Sequence, residues 1–253
     1  MLAAMIEALK NANNYTECWA IALNEDAAGV SASGSIAFSG TSIEAGTLCM
    51  YIGGKKVKAA VSDGDTPTAI ATNAAAAINA NLDLPVTATA ATGTVTLTCK
   101  WKGSTGNDID IRVNYYSDEK TPKGLTATVT AMASGATNPD FSGVITAMAD
   151  EQYHTLIMPF TDSSNLTALE SELTDRWGPL VMKEGHAFAA AAGTHTTIAT
   201  LAESRNCPNL TIMGSGKSPT PPWVVAAVLG GVDAFEPDPA RPRQTLTLPG
   251  VLS

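Results

Sequence analysis

The most suggestive chemical motif lies late in the chain. Gly216-Lys217-Ser218 matches the end of a phosphate-binding P-loop, in which backbone N–H groups and a lysine hold phosphates. That loop also needs a glycine five positions before Gly216, and Thr211 stands there. Prolines follow at Pro219, Pro221 and Pro222, where the P-loop helix would present N–H groups that proline lacks. The pattern therefore predicts a turn rather than a nucleotide site.

A hydrolase-like trio is the second chemical hypothesis. Asp162, His195 and Ser215 each follow a predicted strand, and loops at the carboxyl ends of parallel strands are where α/β sheets bind ligands. A nucleophilic serine needs a strained, exposed turn such as the GxSxG elbow, and Ser215 lacks that motif. We expect no catalytic site. An α/β-fold hydrolase or nucleotide-binding enzyme with degenerate motifs is the alternative hypothesis.

Metal-binding patterns are weak as well. His154 and His186 stand at strand starts without metal-ligand spacing, and we expect them to be hydrogen-bonded structural residues. Asp108 and Asp110 would share one face of a strand, but calcium prefers roughly six to eight oxygen ligands. We predict no metal and no cofactor. The cysteines lack CxxC spacing and are predicted to be reduced and mostly buried: Cys18, Cys49, Cys99 and Cys207.

Composition excludes several function classes. The net charge of −9 argues against a nucleic-acid partner, because phosphates require a basic face. The densest basic cluster, Lys55, Lys56 and Lys58, lies inside a strand pattern and is expected to be a solvated edge. No apolar run reaches the ~18–20 residues that cross a bilayer, so we expect no membrane partner. Charged residues make up 15% of the chain, below the ~25% of ordinary domains.

The predicted helices and strands that would position these residues divide the chain into two kinds of sequence. Residues 1–26 and 138–253 alternate helices with short apolar strands, which predicts a discontinuous α/β core domain with a mainly parallel sheet and flanking helices. Residues 27–137 are rich in threonine, glycine and alanine, and predict an inserted, mostly-β module containing one helix. The insert holds 8 acidic and 8 basic residues, so the flanks carry the whole net charge.

Within the core domain, amphipathic spacing predicts a first helix that ends near Asn13, followed by a wholly apolar strand over 17–23. Later strands are expected at 155–158, 187–189 and 210–213. The helix predicted between the strands at 155–158 and 187–189 should bury a stripe of side chains that includes Leu173 and Trp177. The proline-rich tail, from Asp238 to Gly250, is predicted to lie extended.

Within the insert, alternation of apolar and polar residues predicts seven strands, at 35–39, 47–52, 56–61, 86–90, 95–99, 109–115 and 125–131. Gly53-Gly54 predicts a tight hairpin. Thr66 and Pro67 predict the start of the helix, as N-cap and first residue. Threonines at alternate positions indicate a half-exposed sheet face.

Several segments together resemble contractile-tail sheath proteins of Mu-like bacteriophages. The similarity runs through nearly the whole chain, and the segments keep their order and spacing. They are Glu151-Gln152-Tyr153, Met158-Pro159-Phe160-Thr161-Asp162, Asp175-Arg176-Trp177-Gly178-Pro179, Glu184-Gly185-His186-Ala187-Phe188, Gly106-Asn107-Asp108-Ile109-Asp110-Ile111-Arg112, Asn114-Tyr115-Tyr116, Gly135-Ala136-Thr137-Asn138-Pro139-Asp140, Asp238-Pro239-Ala240-Arg241-Pro242 and Leu248-Pro249-Gly250.

This resemblance implies a structural role without catalysis or cofactors. Sheath subunits polymerise around a tail tube, and the lattice contracts to drive the tube through the host envelope. The implied partners are neighbouring sheath subunits, the tail tube protein and the baseplate, in the virion tail after assembly in the host cytoplasm. Family members are longer at both ends, and their terminal arms link subunits by adding strands to neighbouring sheets. The chain resembles a central fragment, which we expect to be monomeric or weakly associated.

Overall fold

The computed structural model describes residues 1–236, 238, 241–242 and 246–252. The chain divides into two compact units, residues 1–24 with 138–253 and residues 25–137. In chain order the elements are α1 (Leu2–Ala12), β1 (Ser31–Ser39), β2 (Gly46–Ile52), β3 (Lys55–Val61), α2 (Pro67–Ala80), β4 (Val86–Ala91), β5 (Thr94–Lys102), β6 (Ile111–Val113), β7 (Thr126–Ala133), α3 (Ser142–Met148), β8 (Thr155–Ile157), α4 (Ser163–Trp177), β9 (His186–Ala192), α5 (His195–Glu203), β10 (Leu210–Gly216) and α6 (Pro222–Phe235).

The described chain is mixed α/β, with six α-helices and three sheets. Only β8, β9 and β10 pair in parallel, and the other seven strands form two antiparallel sheets. A mainly parallel sheet is therefore not supported for the chain as a whole. The insert contributes most of the strands, and all of its strand pairs in the described chain are antiparallel. Two of these pairs, β2–β3 and β4–β5, are hairpins joined by short turns. Among the described residues, no helix has the length and apolar character needed to cross a membrane.

The first unit is built around the parallel sheet, with order β10-β9-β8. The central strand β9 is almost wholly apolar, and its alternate residues point to opposite faces. Ala187 and Ala189 join a core with Leu166 and Leu169 of α4. Ala190 packs on the other side against α6. Helices therefore cover both faces, as the apolar character of the strand predicts.

One predicted strand of this unit is wrong. Residues 17–23 adopt no regular structure and pair with no strand of the described chain. The side chain of Asn13 accepts hydrogen bonds from the backbone N–H groups of Tyr15 and Thr16, which turns the chain after α1. Trp19 is mostly exposed, and only Leu23 packs against the core. Apolar composition alone does not form a strand, because a strand also needs a neighbour for its backbone hydrogen bonds.

The second unit contains the antiparallel sheets β4-β5-β1-β7 and β3-β2-β6. Gly53 and Gly54 have φ of 56° and 78°, the positive values of the tight turn predicted between β2 and β3. Helix α2 begins as predicted, since the hydroxyl of Thr66 accepts a hydrogen bond from the backbone N–H of Ala69 at 3.4 Å. Its buried face includes Ile70 and Ile78.

The strand predicted over 109–115 is much shorter, because a 3-10 helix, Ser104–Asp108, precedes it and β6 spans only Ile111–Val113. The Asn107 amide donates to the carbonyl of Gly135 at 2.9 Å and accepts from its N–H at 2.8 Å. This pair of bonds connects the turn to a distant segment, and sequence alternation carries no information about such a contact.

Candidate functional site

The segment that resembles a P-loop lies at the carboxyl end of β10. Gly216 ends the strand with φ of 60°, and its carbonyl accepts a hydrogen bond from the Gly193 N–H at 3.1 Å. The next helix begins only at Pro222, with Pro221 as its N-cap. These prolines offer no N–H group to a phosphate. The segment is a strand end followed by a turn, as predicted, and not a P-loop.

The hydroxyl groups of this edge bind backbone atoms. Ser215 Oγ donates to the carbonyl of Ala191 at 3.2 Å, which ties β10 to β9. Ser218 Oγ donates to the Leu252 carbonyl at 2.5 Å, and the Leu252 N–H donates to Thr220 Oγ1 at 2.9 Å. The Ser215 hydroxyl thus makes a structural hydrogen bond between two strands and lacks the exposed, strained geometry of a nucleophile.

The other two residues of the hypothetical trio lie at the starts of two helices. Asp162 is the N-cap of α4, and His195 is the exposed first residue of α5, whose N-cap is Thr194. Among the hydrogen bonds of the described residues, none joins His195 to Asp162 or to Ser215. The three side chains therefore do not form a catalytic relay.

Asp162 instead heads a half-buried polar network. Its carboxylate accepts hydrogen bonds from the Asn165 N–H at 3.1 Å, Ser164 Oγ at 2.8 Å and Asn138 Nδ2 at 2.7 Å. Burial alone would raise the pKa of Asp162, but these donors outweigh burial and hold the pKa below its ordinary value. The charged carboxylate is a structural acceptor.

The buried amide of Asn165 extends this network. Asn165 Oδ1 accepts from the Phe141 N–H at 3.0 Å, and Nδ2 donates to the Pro139 carbonyl at 3.0 Å and to Asp162 at 3.0 Å. Asn165 is only 5% exposed, so these bonds form away from water. The network fastens the segment that precedes α3 to the first turn of α4.

Two of the histidines lie at the amino-terminal ends of the parallel strands, opposite the carboxyl ends described above. His186 Nε2 lies 2.8 Å from Thr211 Oγ1, and its ring packs 4.9 Å from the ring of Phe188. His154 contributes its carbonyl, which accepts from the His186 N–H at 2.9 Å. A shallow cavity of about 230 Å³ opens here, smaller than common ligand pockets. Its lining residues are His154, Trp177, Glu184, Gly185, His186 and Asn209.

Near these strand ends, a buried arginine forms hydrogen bonds that connect several of the segments on which the family resemblance rests. Arg176 is 8% exposed and donates to Glu172 Oε1 at 2.6 Å, to the Glu151 carbonyl at 2.7 Å and to the Ala149 carbonyl at 2.6 Å. Its own carbonyl accepts from the Lys183 N–H at 2.9 Å. Ala149 has φ of 41°, an unfavourable value for an alanine, and the guanidinium holds that turn in place.

An exposed apolar loop, residues 177–182, follows this arginine. Leu180 is 98% exposed, and Trp177, Val181 and Met182 are also exposed. The prediction that Trp177 belongs to the buried stripe of α4 is wrong, because Arg176 occupies the inward position where it reaches the backbone carbonyls. Contiguous exposed apolar side chains are typical of interaction surfaces.

In the second unit, the predicted lysine edge is part of a charged and aromatic cluster. Lys56 Nζ and the Tyr51 hydroxyl each donate to Glu119 Oε1 at 2.5 Å, and the Tyr116 N–H donates to Oε2 at 3.3 Å. The rings of Tyr51, Tyr115 and Tyr116 are packed together. Burial would raise the pKa of Glu119, but the bonds from Lys56 and Tyr51 lower it to about 2. The cluster fixes the loop after β6 on the sheet.

The predicted aspartate pair does not form. Asp108 ends the 3-10 helix and is exposed, whereas Asp110 accepts from Arg112 Nε at 2.6 Å. The structure shows no group of three or more potential metal ligands among the residues that it describes. All four cysteines are free thiols, and burial raises the pKa of Cys99 to about 11. Cys49 and Cys99 are buried, and Cys18 and Cys207 are partly exposed.

Sequence reasoning missed the residues that organise these networks. Glu172 and Arg176 are four residues apart on one helix, a spacing that indicates an ion pair but not its burial. Asn165 and Glu119 carry no comparable pattern, because the partners that connect them to other segments, such as Phe141 and Tyr51, are distant in the chain. Part of the predicted extended tail, including Pro239 and Ala240 of the resemblance segment, lies outside the described residues.

Two comparisons with known proteins find similar sequences. Residues 134–253 match the phage tail sheath protein central domain. The chain is also 43% identical over 251 residues, 98% of its length, to the Mu-like prophage FluMu tail sheath protein of Haemophilus influenzae. It spans about half of that relative, 51% of its length.

These matches indicate the class of protein first: residues 134–253, just under half of the chain, are similar to the central domain of phage tail sheath proteins. Along nearly its whole length, the chain is similar to a Mu-like prophage tail sheath protein. The resemblance to Mu-like sheath proteins predicted from the sequence is confirmed.

Proposed function

We propose that the chain forms part of a subunit of a contractile phage tail sheath, which polymerises around the tail tube and contracts to drive the tube through the host envelope. The observation that carries this proposal is the 43% identity to a tail sheath protein along 98% of the chain. The proposed partners are neighbouring sheath subunits, the tail tube protein and the baseplate. The proposed location is the virion tail, after assembly in the host cytoplasm.

The proposed domains are a discontinuous α/β core, residues 1–26 and 138–253, and an inserted β-rich domain, residues 27–137. The two compact units, which change at 24/25 and 137/138, support this division. A contracting lattice requires bodies that move without deforming. The sheet covered on both faces and the bonds of Asn165 and Arg176 would make the core such a body.

We further propose that the exposed apolar loop, residues 177–182, contacts a neighbouring sheath subunit. Four of its side chains are exposed although they are large and apolar. Burying such a surface against another protein stabilises the contact by roughly 25 cal/mol per Å² of apolar area removed from water. A lattice contact is the simplest source of that cover in a polymer.

Immunogold electron microscopy of contractile tails from the source strain tests the sheath proposal. Antibodies raised against the purified chain should label the outer layer along the full tail length. The label should move with the shortened sheath in contracted particles. Labelling confined to the inner tube, the capsid or no particle at all would contradict it.

The enzyme alternative has a separate test. Turnover of generic ester or nucleotide substrates, abolished by His195→Ala or Lys217→Ala, would support it. No geometric feature of the carboxyl edge favours this alternative, since Ser215 and Asp162 are both committed to structural hydrogen bonds.

A further inference from the structure

The two edges of the four-stranded sheet β4-β5-β1-β7 differ in a way that the proposed function does not explain. An edge strand presents unpaired N–H and C=O groups, which invite pairing with another chain. Proteins usually protect such edges with charges, prolines, bulges or a covering element. Strand β4 has such a cover. Among the described residues, β7 has no covering element and only a bulge near its end, where its register with β1 shifts between Thr130 and Ala133.

Strand β4 is covered by one amide from α2. The Asn79 side chain accepts from the Ala88 N–H at 2.9 Å and donates to the Ala88 carbonyl at 2.8 Å. Both outward-pointing groups at the middle of β4 are thereby satisfied. A second chain cannot pair there without displacing Asn79.

The outward groups of β7 follow from the pairing of β1. The Phe38 N–H donates to the Gly93 carbonyl at 2.8 Å, so Phe38 points its backbone toward β5. Backbone groups alternate along a strand, so Ala37 points toward β7 and pairs with Thr128. It follows that Ala127 and Val129 direct their N–H and C=O groups away from β1, at the open edge. The register with β1 shifts between Thr130 and Ala133, so this alternation extends only to Thr130.

Nothing in the composition of β7 protects this edge. The strand, Thr126–Ala133, is eight residues long and contains no charged residue and no proline. Its side chains are exposed on both faces over most of its length, and Val129 is 36% exposed. Within the described residues β7 is the end strand of its sheet, with β1 on one side only.

We propose that β7 pairs antiparallel with β7 of a second copy of this chain, centred on Val129. The sequence is palindromic about that residue, since Thr128 matches Thr130 and Ala127 matches Ala131. The pairing places Val129 opposite its own copy, threonine opposite threonine on one face and alanine opposite alanine on the other. Cross-strand threonine pairs stabilise antiparallel sheets.

Charge and symmetry also fit a second copy. The insert, residues 27–137, carries equal numbers of acidic and basic residues, 8 of each, so no net charge on the insert itself opposes the contact. Because both partners use the same strand, the contact is two-fold and ends at a dimer. It is independent of the sheath proposal, and either proposal stands if the other fails.

Analytical ultracentrifugation of the purified chain across a concentration series tests this pairing. One strand pair buries little surface, so we expect a weak monomer–dimer equilibrium in the range of roughly 10 µM to 1 mM. Ala127→Pro removes an N–H group that points to the open edge and makes no hydrogen bond to β1. This change should weaken dimerisation at least about tenfold. The matched control Ala90→Pro changes an outward position of β4 and should leave dimerisation unchanged.

A charge variant covers the case in which Ala127→Pro fails to fold. Thr128→Lys with Thr130→Lys places like charges directly opposite each other across the proposed pair and should abolish the dimer. The control Thr96→Lys with Thr98→Lys adds the same charge to exposed positions of the central strand β5. A monomer at all concentrations, or equal effects of variants and controls, would overturn the proposal.

Discussion

The two units hold their segments together by different means. In the first unit, Arg176 and Asn165 lie buried and donate to backbone carbonyls of segments 24 or more residues away in the chain. The second unit relies mostly on antiparallel strand ladders, and its distant side-chain contacts, Asn107 to Gly135 and Lys56 to Glu119, are half-buried or exposed. The contrast teaches that single polar side chains should matter more for the stability of the first unit than of the second.

The largest effect is expected for Arg176→Ala. Its loss leaves two carbonyls and Glu172 without their charged donor, and we expect a loss of about 3 kcal/mol in unfolding free energy. Urea denaturation measures this loss, and hydrogen exchange should locate it in the first unit. The control Lys183→Ala removes the exposed Lys183–Asp150 pair and should cost under about 0.5 kcal/mol. Equal costs would contradict the role of Arg176.

Asn165→Ala should come next, at about 2 kcal/mol. The substitution leaves the Phe141 N–H and the Pro139 carbonyl buried without a partner. Thermal unfolding of the variant beside Asn73→Ala, an exposed asparagine on α2, measures the difference. A cost at the level of the control would show that water replaces the amide.

Opening the covered edge of the second unit should cost less. Asn79→Ala removes the two bonds to Ala88, and we expect a loss of about 1 kcal/mol, because water can reach part of this edge. The variant should also associate more strongly in sedimentation, since a second edge becomes available for pairing. Unchanged association would mean that Asn79 does not protect β4.

Acid should weaken the second unit through Glu119. Its pKa falls from the ordinary 4.5 to about 2 in the folded chain, so its stabilisation is complete above pH about 5 and is lost as the pH falls toward 2. The stability difference between the parent chain and Glu119→Gln should therefore shrink over that window. NMR titration of the carboxyl measures the pKa directly, and an ordinary value would contradict the cluster geometry.

The smallest effect on stability is expected for Leu180→Asp. The side chain is 98% exposed, so the unfolding free energy should change by less than about 0.5 kcal/mol. Sheath assembly in a complemented phage should fail, whereas Leu82→Asp, an equally drastic change at an exposed leucine of the second unit, should assemble normally. Normal assembly of both variants would remove the apolar loop from the lattice contacts.

Prediction from the sequence succeeded where structure is local. Thr66 and Pro67 start α2, Gly53-Gly54 turns the hairpin, and the apolar strand β9 is covered on both faces, each from a short pattern with a direct physical cause. The strand over 17–23 failed because an apolar pattern does not specify the neighbour that pairs with it.

The networks were beyond prediction for a related reason. Asn165 and Arg176 act on carbonyls that come close only once the unit has folded, so their positions leave no periodic trace in the sequence. Exposure of Trp177 is the consequence of one such contact, since Arg176 takes the buried position on α4. At the P-loop-like and hydrolase-like segments, Ser215 and Ser218 instead donate to backbone carbonyls, and the absence of a catalytic site stays a prediction.

We propose that this chain forms part of the sheath layer of a contractile tail. A cryo-electron microscopy map of an extended tail from the source strain tests it most directly. We predict that the first unit, with its three parallel strands between α4 and α6, fits repeating density outside the tube at every ring. Sheath density that matches a different chain, with this fold found elsewhere in the particle or nowhere, would contradict the account.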